Sequence, residues 1–290
     1  MKLQMFVDGV WIPARSAATT VATSPATGEQ LGTVPDGDRE DARAAIAAAR
    51  RAAAGWARLS AFERAALLHR VGDVVESRRD ALARTLTLDQ GKPLRAEAYD
   101  EVDELVTYWR MAAEDAKRLG GMLPNSSGPG KRALLIRRPR GVVGVITPWN
   151  WPYTMPAELI APALASGNTV VWTPAPSTAV SAVALAECLA EADLPPGVVN
   201  LVTGPGPVVG DEIARNPGTD AVAFIGSTAT GRLVASAAAG KATLLEMGGN
   251  GPIVVLDDAD LDRAVEGALL ACFLCAGQSC TAGERLLVHE

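Results

Sequence analysis

Apolar residues change their spacing along this chain, and each change marks a different kind of structure. The first part carries one short extended run, residues 6–12, and then helical patterns. Behind Asp38, apolar positions recur at spacings of three and four to about residue 57, with an acidic first turn, which predicts an amphipathic helix. Ser60-Ala61-Phe62-Glu63 is a capping-box pattern that opens a second helix. Further helical patterns cover residues 79–90, ended by Gly91 and Pro93, and residues 95–119, ended by Gly120-Gly121. None of these helices carries a chemical motif, so they are expected to cover a sheet. Residues 120–130 turn to Gly, Pro, Asn and Ser, which marks a linker or the turn of an arm. Residues 132–138, bearing Arg, read as an exposed strand guarded against unwanted pairing. An arm reaching another subunit and a simple edge strand are both compatible with that pattern.

After Gly141 short β-branched runs alternate with helices. The strands are residues 142–147, 169–173, 198–203, 221–225 and 242–246, and the helices residues 155–165, 177–192, 207–215 and 228–239. This alternation predicts an α/β fold, a Rossmann-like doubly wound parallel sheet. Residues 252–256 (strand), 261–274 (helix behind Asp257-Asp258-Ala259-Asp260) and 286–289 (start of a strand) begin a second, incomplete α/β unit. The expected organisation is a helical N-terminal part (1–119), a linker or β arm (120–140), a Rossmann-like domain (141–246) and the start of an incomplete second α/β domain (247–290). In doubly wound sheets ligands sit outside the carboxyl ends of the strands, where loops and helix N-termini converge. The polar and Gly-rich features fall at such ends: Thr147-Pro148-Trp149-Asn150, Thr173, the glycines of 204–210, those of 226–231, and Glu246.

Composition narrows the function classes. With 48% apolar residues in 290, the chain can bury a substantial core, and disorder is not expected. A net charge of −6 with basic residues scattered singly offers no footprint for nucleic acid or anionic lipid. The longest apolar stretch, 267–277, is too short to cross a bilayer and the first residues lack a signal-peptide core, so a cytoplasmic protein is expected. Four cysteines cannot staple so long a chain, and free thiols suit a reducing compartment. Cys272 and Cys275 form a CxxC pair, but His69 and His289 show no ligand spacing near them, and no metal site is expected.

Gly226-Ser227-Thr228-Ala229-Thr230-Gly231 follows an apolar strand and opens a helix, placing backbone N–H groups where a phosphate can dock. A second Gly-rich turn, Gly204 to Gly210 with Gly206 inside it, precedes the neighbouring unit. Neither matches the usual dinucleotide fingerprint, and tight strand-to-helix turns also need glycine; two on adjacent units of one sheet favour a nucleotide. Cys280, in Gly277-Gln278-Ser279-Cys280, sits in a loop that can expose a thiolate, the side chain suited to attack on an aldehyde. An inert buried thiol is the bland account of a lone cysteine. Glu246 ends a strand before Gly248-Gly249; partly desolvated there, its pKa would rise and it could deprotonate water. Asn150, between Trp149 and Trp151, offers an N–H donor to a developing oxyanion, with the backbone N–H of Cys280 as a second.

Through PWNWP at 148–152, FIGSTATG at 224–231, LEMGG at 245–249 and GQSC at 277–280, in that order, the chain resembles the aldehyde dehydrogenase superfamily over its whole length. The resemblance implies Cys280 as nucleophile, Asn150 as oxyanion donor and Glu246 as the base that activates water. It implies an NAD or NADP site lined by Ile146, Thr147, Pro148, Trp149, Thr173, Gly206, Gly210, Phe224, Gly226, Ser227, Thr230, Gly231 and Met247. The implied course is thiohemiacetal formation, hydride transfer to nicotinamide and hydrolysis of a thioester to a carboxylic acid. Family members continue far beyond Glu290, through most of the catalytic domain and an oligomerising strand, so a homo-oligomer is implied where that domain is present. Thr173 stands where the family usually has a lysine for the adenosine ribose, which implies cofactor binding weaker by about 1 kcal/mol or more. Pro176 stands where an acid often biases against NADP. Glu158 stands where relatives that oxidise succinate semialdehyde carry an arginine, which argues against that substrate. Two other readings remain: a truncated homologue that only binds a nucleotide or a partner chain, and a cofactor-independent cysteine esterase.

Overall fold

The computed structural model describes residues 2–290. It begins with a hairpin, β1 (Met5–Val7) and β2 (Val10–Ile12), turned by Asp8 and Gly9 at φ 54° and 80°. Two consecutive left-handed residues are what a type I′ turn requires, so the run 6–12 is two strands rather than one extended segment. A second antiparallel pair, β3 (Thr19–Thr23) and β4 (Gln30–Pro35), was not expected from the sequence. Most of β3 is exposed, so it lacks the apolar alternation by which a strand is read.

Four helical segments follow as expected. α1 (Arg39–Arg58) is capped by Asp38 and α2 (Ala61–Ser77) by Ser60, each in a reciprocal capping box. α3 (Arg79–Gln90) ends on Gly91 in the left-handed conformation. The fourth is shorter than expected and starts as a π-helical turn, Leu94–Ala98, before α4 (Tyr99–Ala116). Residues 132–138 do not form the expected strand: Leu135 makes one isolated bridge to Met122, and the surrounding side chains are exposed. A strand is a product of pairing, and no neighbouring ladder extends past that bridge.

From Gly141 onward strands and helices alternate: β5 (Val142–Ile146), α5 (Thr154–Ala165), β6 (Thr169–Thr173), α6 (Ala179–Glu191), β7 (Val199–Leu201), a π turn (Gly206–Gly210) leading into α7 (Asp211–Arg215), β8 (Ala221–Ile225), α8 (Thr228–Ala237) and β9 (Ala242–Glu246). The strands join β1 and β2 in one seven-stranded sheet, ordered β2-β1-β7-β6-β5-β8-β9. All neighbours from β7 to β9 run parallel, and β1 meets β7 antiparallel. The chain winds from β5 through β6 to β7 toward one edge, then places β8 and β9 on the other side of β5. Winding therefore reverses between β5 and β8, and a crevice opens outside their carboxyl ends.

Alternate side chains of each strand feed separate cores. Val143, Val145, Val170 and Trp172 pack with α2 to α6, while Val142 and Val171 pack with Ala42, Ala45, Ile46 and Ile213 of α1 and α7. A last unit, β10 (Gly251–Val255), α9 (Leu261–Phe273) and β11 (Gly283–Val288), carries its own two-stranded parallel sheet. Among the described residues no helix is long and apolar enough to cross a membrane, and no group of three or more His, Cys, Asp or Glu is placed to hold a metal ion.

Candidate active site

The crevice at the winding reversal is a cleft of about 350 Å³, and it gathers residues from four separate segments. β5 delivers Pro148, Trp149 and Asn150; β8 delivers Gly226 and Ser227; β9 delivers Glu246, Met247, Gly248 and Gly249; the loop after α9 delivers Gly277, Gln278, Ser279 and Cys280. The three residues expected to do chemistry thus share one cavity although they are far apart in sequence.

The nucleophile loop is held by close backbone packing. A Cβ on Gly249 would lie 2.0 Å from the carbonyl oxygen of Cys280, so only glycine lets the segment after β9 pass beneath that loop. Upstream, Cys275, Ala276 and Gly277 all have left-handed φ (53°, 55° and 74°), which folds the chain sharply back after α9. For the two non-glycine residues this costs of order 1–2 kcal/mol each and needs support from the surroundings. Asn150 supplies part of it: its Nδ2 donates to the carbonyl oxygen of Gln278 at 2.8 Å. An amide NH2 has two N–H donors, so one remains for a ligand in the cleft.

Burial raises the pKa of the Cys280 thiol, and the charge of Glu246 and its hydrogen bond to the thiol add to the rise. The residue's own backbone N–H, directed at its sulfur, works the other way, and the carboxylate of Glu158 contributes a smaller upward push. Cys280 is therefore mostly protonated at neutral pH and needs the carbonyl carbon close at hand before it reacts. Glu246 is exposed at the end of an edge strand, not partly desolvated as expected from the sequence, because β9 has no strand or helix against its outer side. Glu158, on α5, is exposed to solvent overall; partial desolvation raises its pKa, the Tyr108 hydrogen bond opposes the rise, and the charges of Glu104 and Glu246 add to it.

The residues expected to line a cofactor site lie along the same strand ends. Ile146 ends β5 and Thr173 ends β6, while Thr147 is buried with its hydroxyl accepting from Trp172 Nε1 at 2.8 Å, so that oxygen serves the sheet. Gly206 and Gly210 bound the π turn; a Cβ on Gly206 would meet nothing within 4 Å, which leaves that backbone approachable. The Thr173 hydroxyl is buried without a hydrogen-bond partner. Ser227 caps α8, its Oγ accepting the Thr230 N–H at 3.3 Å. Phe224, Gly226, Gly231 and Met247 pack into one another, since a Cβ on Gly231 would lie 2.5 Å from Met247 Sδ and one on Gly226 2.6 Å from the Phe224 ring. An approachable glycine turn, an orphaned hydroxyl and a helix N-terminus at neighbouring strand ends fit an elongated, phosphate-bearing ligand.

Sequence reasoning missed the layer beneath. Lys92 and Glu101 are buried and paired at 2.5 Å, and Gln90, Glu97 and Cys275 touch the backbone of the two catalytic loops. The signal was present: Glu101 occupies the apolar face of α4 beside Val102 and Leu105, a position that a carboxylate takes only when it is paired.

The aldehyde dehydrogenase family profile matches residues 11–290, and the chain belongs to that family. It is 43% identical to succinate-semialdehyde dehydrogenase [NADP(+)] of Escherichia coli over 99% of this chain and 60% of that protein. It is 44% identical to glutarate-semialdehyde dehydrogenase of Pseudomonas aeruginosa, again over 99% and 60%. The solved structure of an NAD-dependent aldehyde dehydrogenase from Sinorhizobium meliloti superposes with a TM-score of 0.96 at 41% identity, covering 100% of this chain and 59% of that one. The chain thus spans about 60% of the length of the curated relatives it matches.

Proposed function

We propose that the chain is the cofactor-binding and nucleophile-bearing part of a cytoplasmic, homo-oligomeric aldehyde dehydrogenase that oxidises an aldehyde to a carboxylic acid with NAD or NADP. The observation that carries this reading is the convergence of Cys280, Glu246 and Asn150 on one cleft at the winding reversal of the sheet. Cys280 Sγ bonds to the carbonyl carbon, and its proton ends on the former carbonyl oxygen. The free N–H of Asn150 and the backbone N–H of Cys280 donate to that oxygen while it carries negative charge. Bound NAD(P)+ would supply the hydride acceptor, and the hydroxyl proton of the thiohemiacetal would leave to water in the cleft as the thioester forms. Ile146 to Trp149, Thr173, the 206–210 turn and the start of α8 are the residues that would hold the dinucleotide. Glu246, being exposed, can reach water in the cleft and take one of its protons as the C–O bond forms and the C–S bond breaks. The product leaves as an acid and Cys280 is restored.

Thr173 and Pro176 leave neither a cation nor an acid at the adenosine ribose, so neither cofactor is excluded. Glu246 and Glu284 line the cleft and Glu158 acts on Cys280 by charge, so the site is acidic, which disfavours an aldehyde bearing a carboxylate. The test is reduction of NAD or NADP with a panel of neutral, anionic and cationic aldehydes, together with mass spectrometry of the acylated chain. Wild type should reduce the cofactor and carry an acyl group on Cys280, and Cys280→Ala should do neither. Ester hydrolysis without nucleotide that disappears in Cys280→Ala would select the esterase reading. A folded, nucleotide-binding chain with no turnover would select the non-catalytic one.

A further inference from the structure

We infer that a buried clamp formed by residues 90–101 holds the Asn150 loop and the Cys280 loop in register, with Lys92 and Glu101 as its positioning residues. Both partners of the Lys92–Glu101 pair are almost fully buried, at 1% and 0% side-chain exposure. Burying two charges is costly, and such a pair adds little to stability over apolar residues of the same shape. What this one touches gives it a use.

Glu101 spends one oxygen on Lys92 and the other on two backbone donors, Tyr153 N–H at 2.9 Å and Thr154 N–H at 3.3 Å. These N–H groups open α5, which has no side-chain cap of its own. Glu101 therefore caps α5 from a different helix, and its charge faces the positive end of the α5 dipole. The Lys92 ammonium lies 3.3 Å over the ring of Trp151. The residues that follow Asn150 are thus fixed at 151, 153 and 154 by one ion pair. Burial raises the pKa of the Glu101 carboxyl, while Lys92 and the two N–H donors pull it back.

The same segment reaches the other loop. The carboxylate of Glu97 accepts the N–H of Cys275 at 3.2 Å, at the first of the left-handed residues that aim the chain toward Cys280. The Cys275 thiol donates to the carbonyl oxygen of Asn150 at 3.4 Å, and Gln90 Nε2 lies 3.4 Å from that oxygen and 3.6 Å from the Cys275 sulfur. With the Asn150–Gln278 bond, the two loops are joined to each other and to one support. An error of about 1 Å between nucleophile and oxyanion donor can cost on the order of 100-fold in rate, so the distance set by this support is a catalytic quantity. Its effect on rate rests on the function proposed above; its effect on the two loops does not.

The experiment pairs two perturbations at opposite ends of the clamp and reads both loops in each. Lys92→Met combined with Glu101→Gln removes both charges and keeps the volumes. Glu97→Ala, at a half-buried position, leaves the ion pair intact and serves where the double variant does not fold. By hydrogen exchange with mass spectrometry, peptides covering 149–155 and 274–281 should both exchange faster in either variant, while α2 stays protected. Acylation of Cys280 should fall roughly 10- to 100-fold, with little further loss when Asn150→Ala is added. Iodoacetamide alkylation of Cys280 should stay within about twofold of wild type, because the thiol itself is not altered. Loosening of only the loop next to each substitution, or of neither, overturns the clamp. Loss of acylation that adds fully to that of Asn150→Ala overturns its positioning role. If wild type acylates nothing, the proposed function fails, and the exchange data still decide whether the two loops are coupled.

Discussion

α5 and α9 are helices of similar length and both are rich in apolar residues, yet they occupy opposite environments. In α5 nine residues are buried, Ile160 and Leu164 completely. In α9 none is, and Leu261, Val265, Leu269, Leu270 and Phe273 are all well exposed. The strands repeat the contrast: β6 is buried at every position, whereas five of the six residues of β11 are exposed. Apolar composition makes a segment able to join a core, but only a partner on the facing side makes it stabilising. The cleft lies on the boundary between these regions. Asn150 rides on the packed one, and Cys280 belongs to the open one and is fastened across the boundary to residues 90–101.

The sharpest way to break the comparison is a matched pair of truncations. Leu164→Ala should cost about 2–5 kcal/mol, because it leaves a cavity between the sheet and its covering helices. Leu270→Ala, at 66% exposure, should change stability by less than about 0.5 kcal/mol. Urea unfolding of both variants measures the two effects; equal costs would show that α9 is as well packed in solution as α5. Next in size is a pH effect confined to the packed region. Asp89, at the end of α3, is 3% exposed; one oxygen accepts from the N–H and hydroxyl of Ser181, and the other has no partner. Burial raises its pKa from 3.8 to about 6, against the pull of the Ser181 bonds. A carboxyl whose folded pKa is raised contributes stability that is fully present below its unfolded pKa and is lost as pH rises through the folded one. Asp89 should therefore withdraw of the order of 3 kcal/mol as pH rises from about 4 to about 6. Urea midpoints across that window should show a smaller change in Asp89→Asn than in wild type, and parallel pH profiles would remove Asp89 as the cause.

The division also explains what could be read from the sequence. Ends of the packed helices were legible because their signals are local: Asp38 and Ser60 cap, Gly91 terminates, and each contacts residues a few positions away. β6, β8 and β9 were legible as runs between turns, and with them the strand ends where the cleft lies. The strand expected at 132–138 failed because pairing depends on a distant neighbour that sequence pattern does not reveal. The π turns at Leu94–Ala98 and Gly206–Gly210 share the apolar spacing of an α-helix, so periodicity cannot separate them. The Asp8-Gly9 turn was readable and passed over. Cys280, Glu246 and Asn150 were visible as motifs, but the Lys92–Glu101 support was not, because a charged pair buried in helical sequence looks like two solvated residues until its partners are seen.

The smallest effect tests the boundary itself. Glu246 stands on the exposed strand end and acts on Cys280 both by charge and by accepting the thiol's hydrogen bond, and both raise the thiol pKa. Replacing the carboxylate by an amide removes the charge and weakens the bond, so Glu246→Gln should lower that pKa. Because the thiolate is the nucleophile toward iodoacetamide, alkylation of Cys280 at neutral pH should then rise roughly severalfold, the reverse of what is expected on removing a base that activates the thiol. Peptide fragmentation separates the signal from that of Cys272, which is as accessible as Cys280, and Cys188 and Cys275 are buried. A fall in alkylation would mean that Glu246 draws the proton from Cys280, making it the activator of the nucleophile before it ever meets water. An unchanged rate would mean that the two side chains do not communicate in solution. A rise would leave Glu246 free for the later step, in which water and not the thiol gives up the proton.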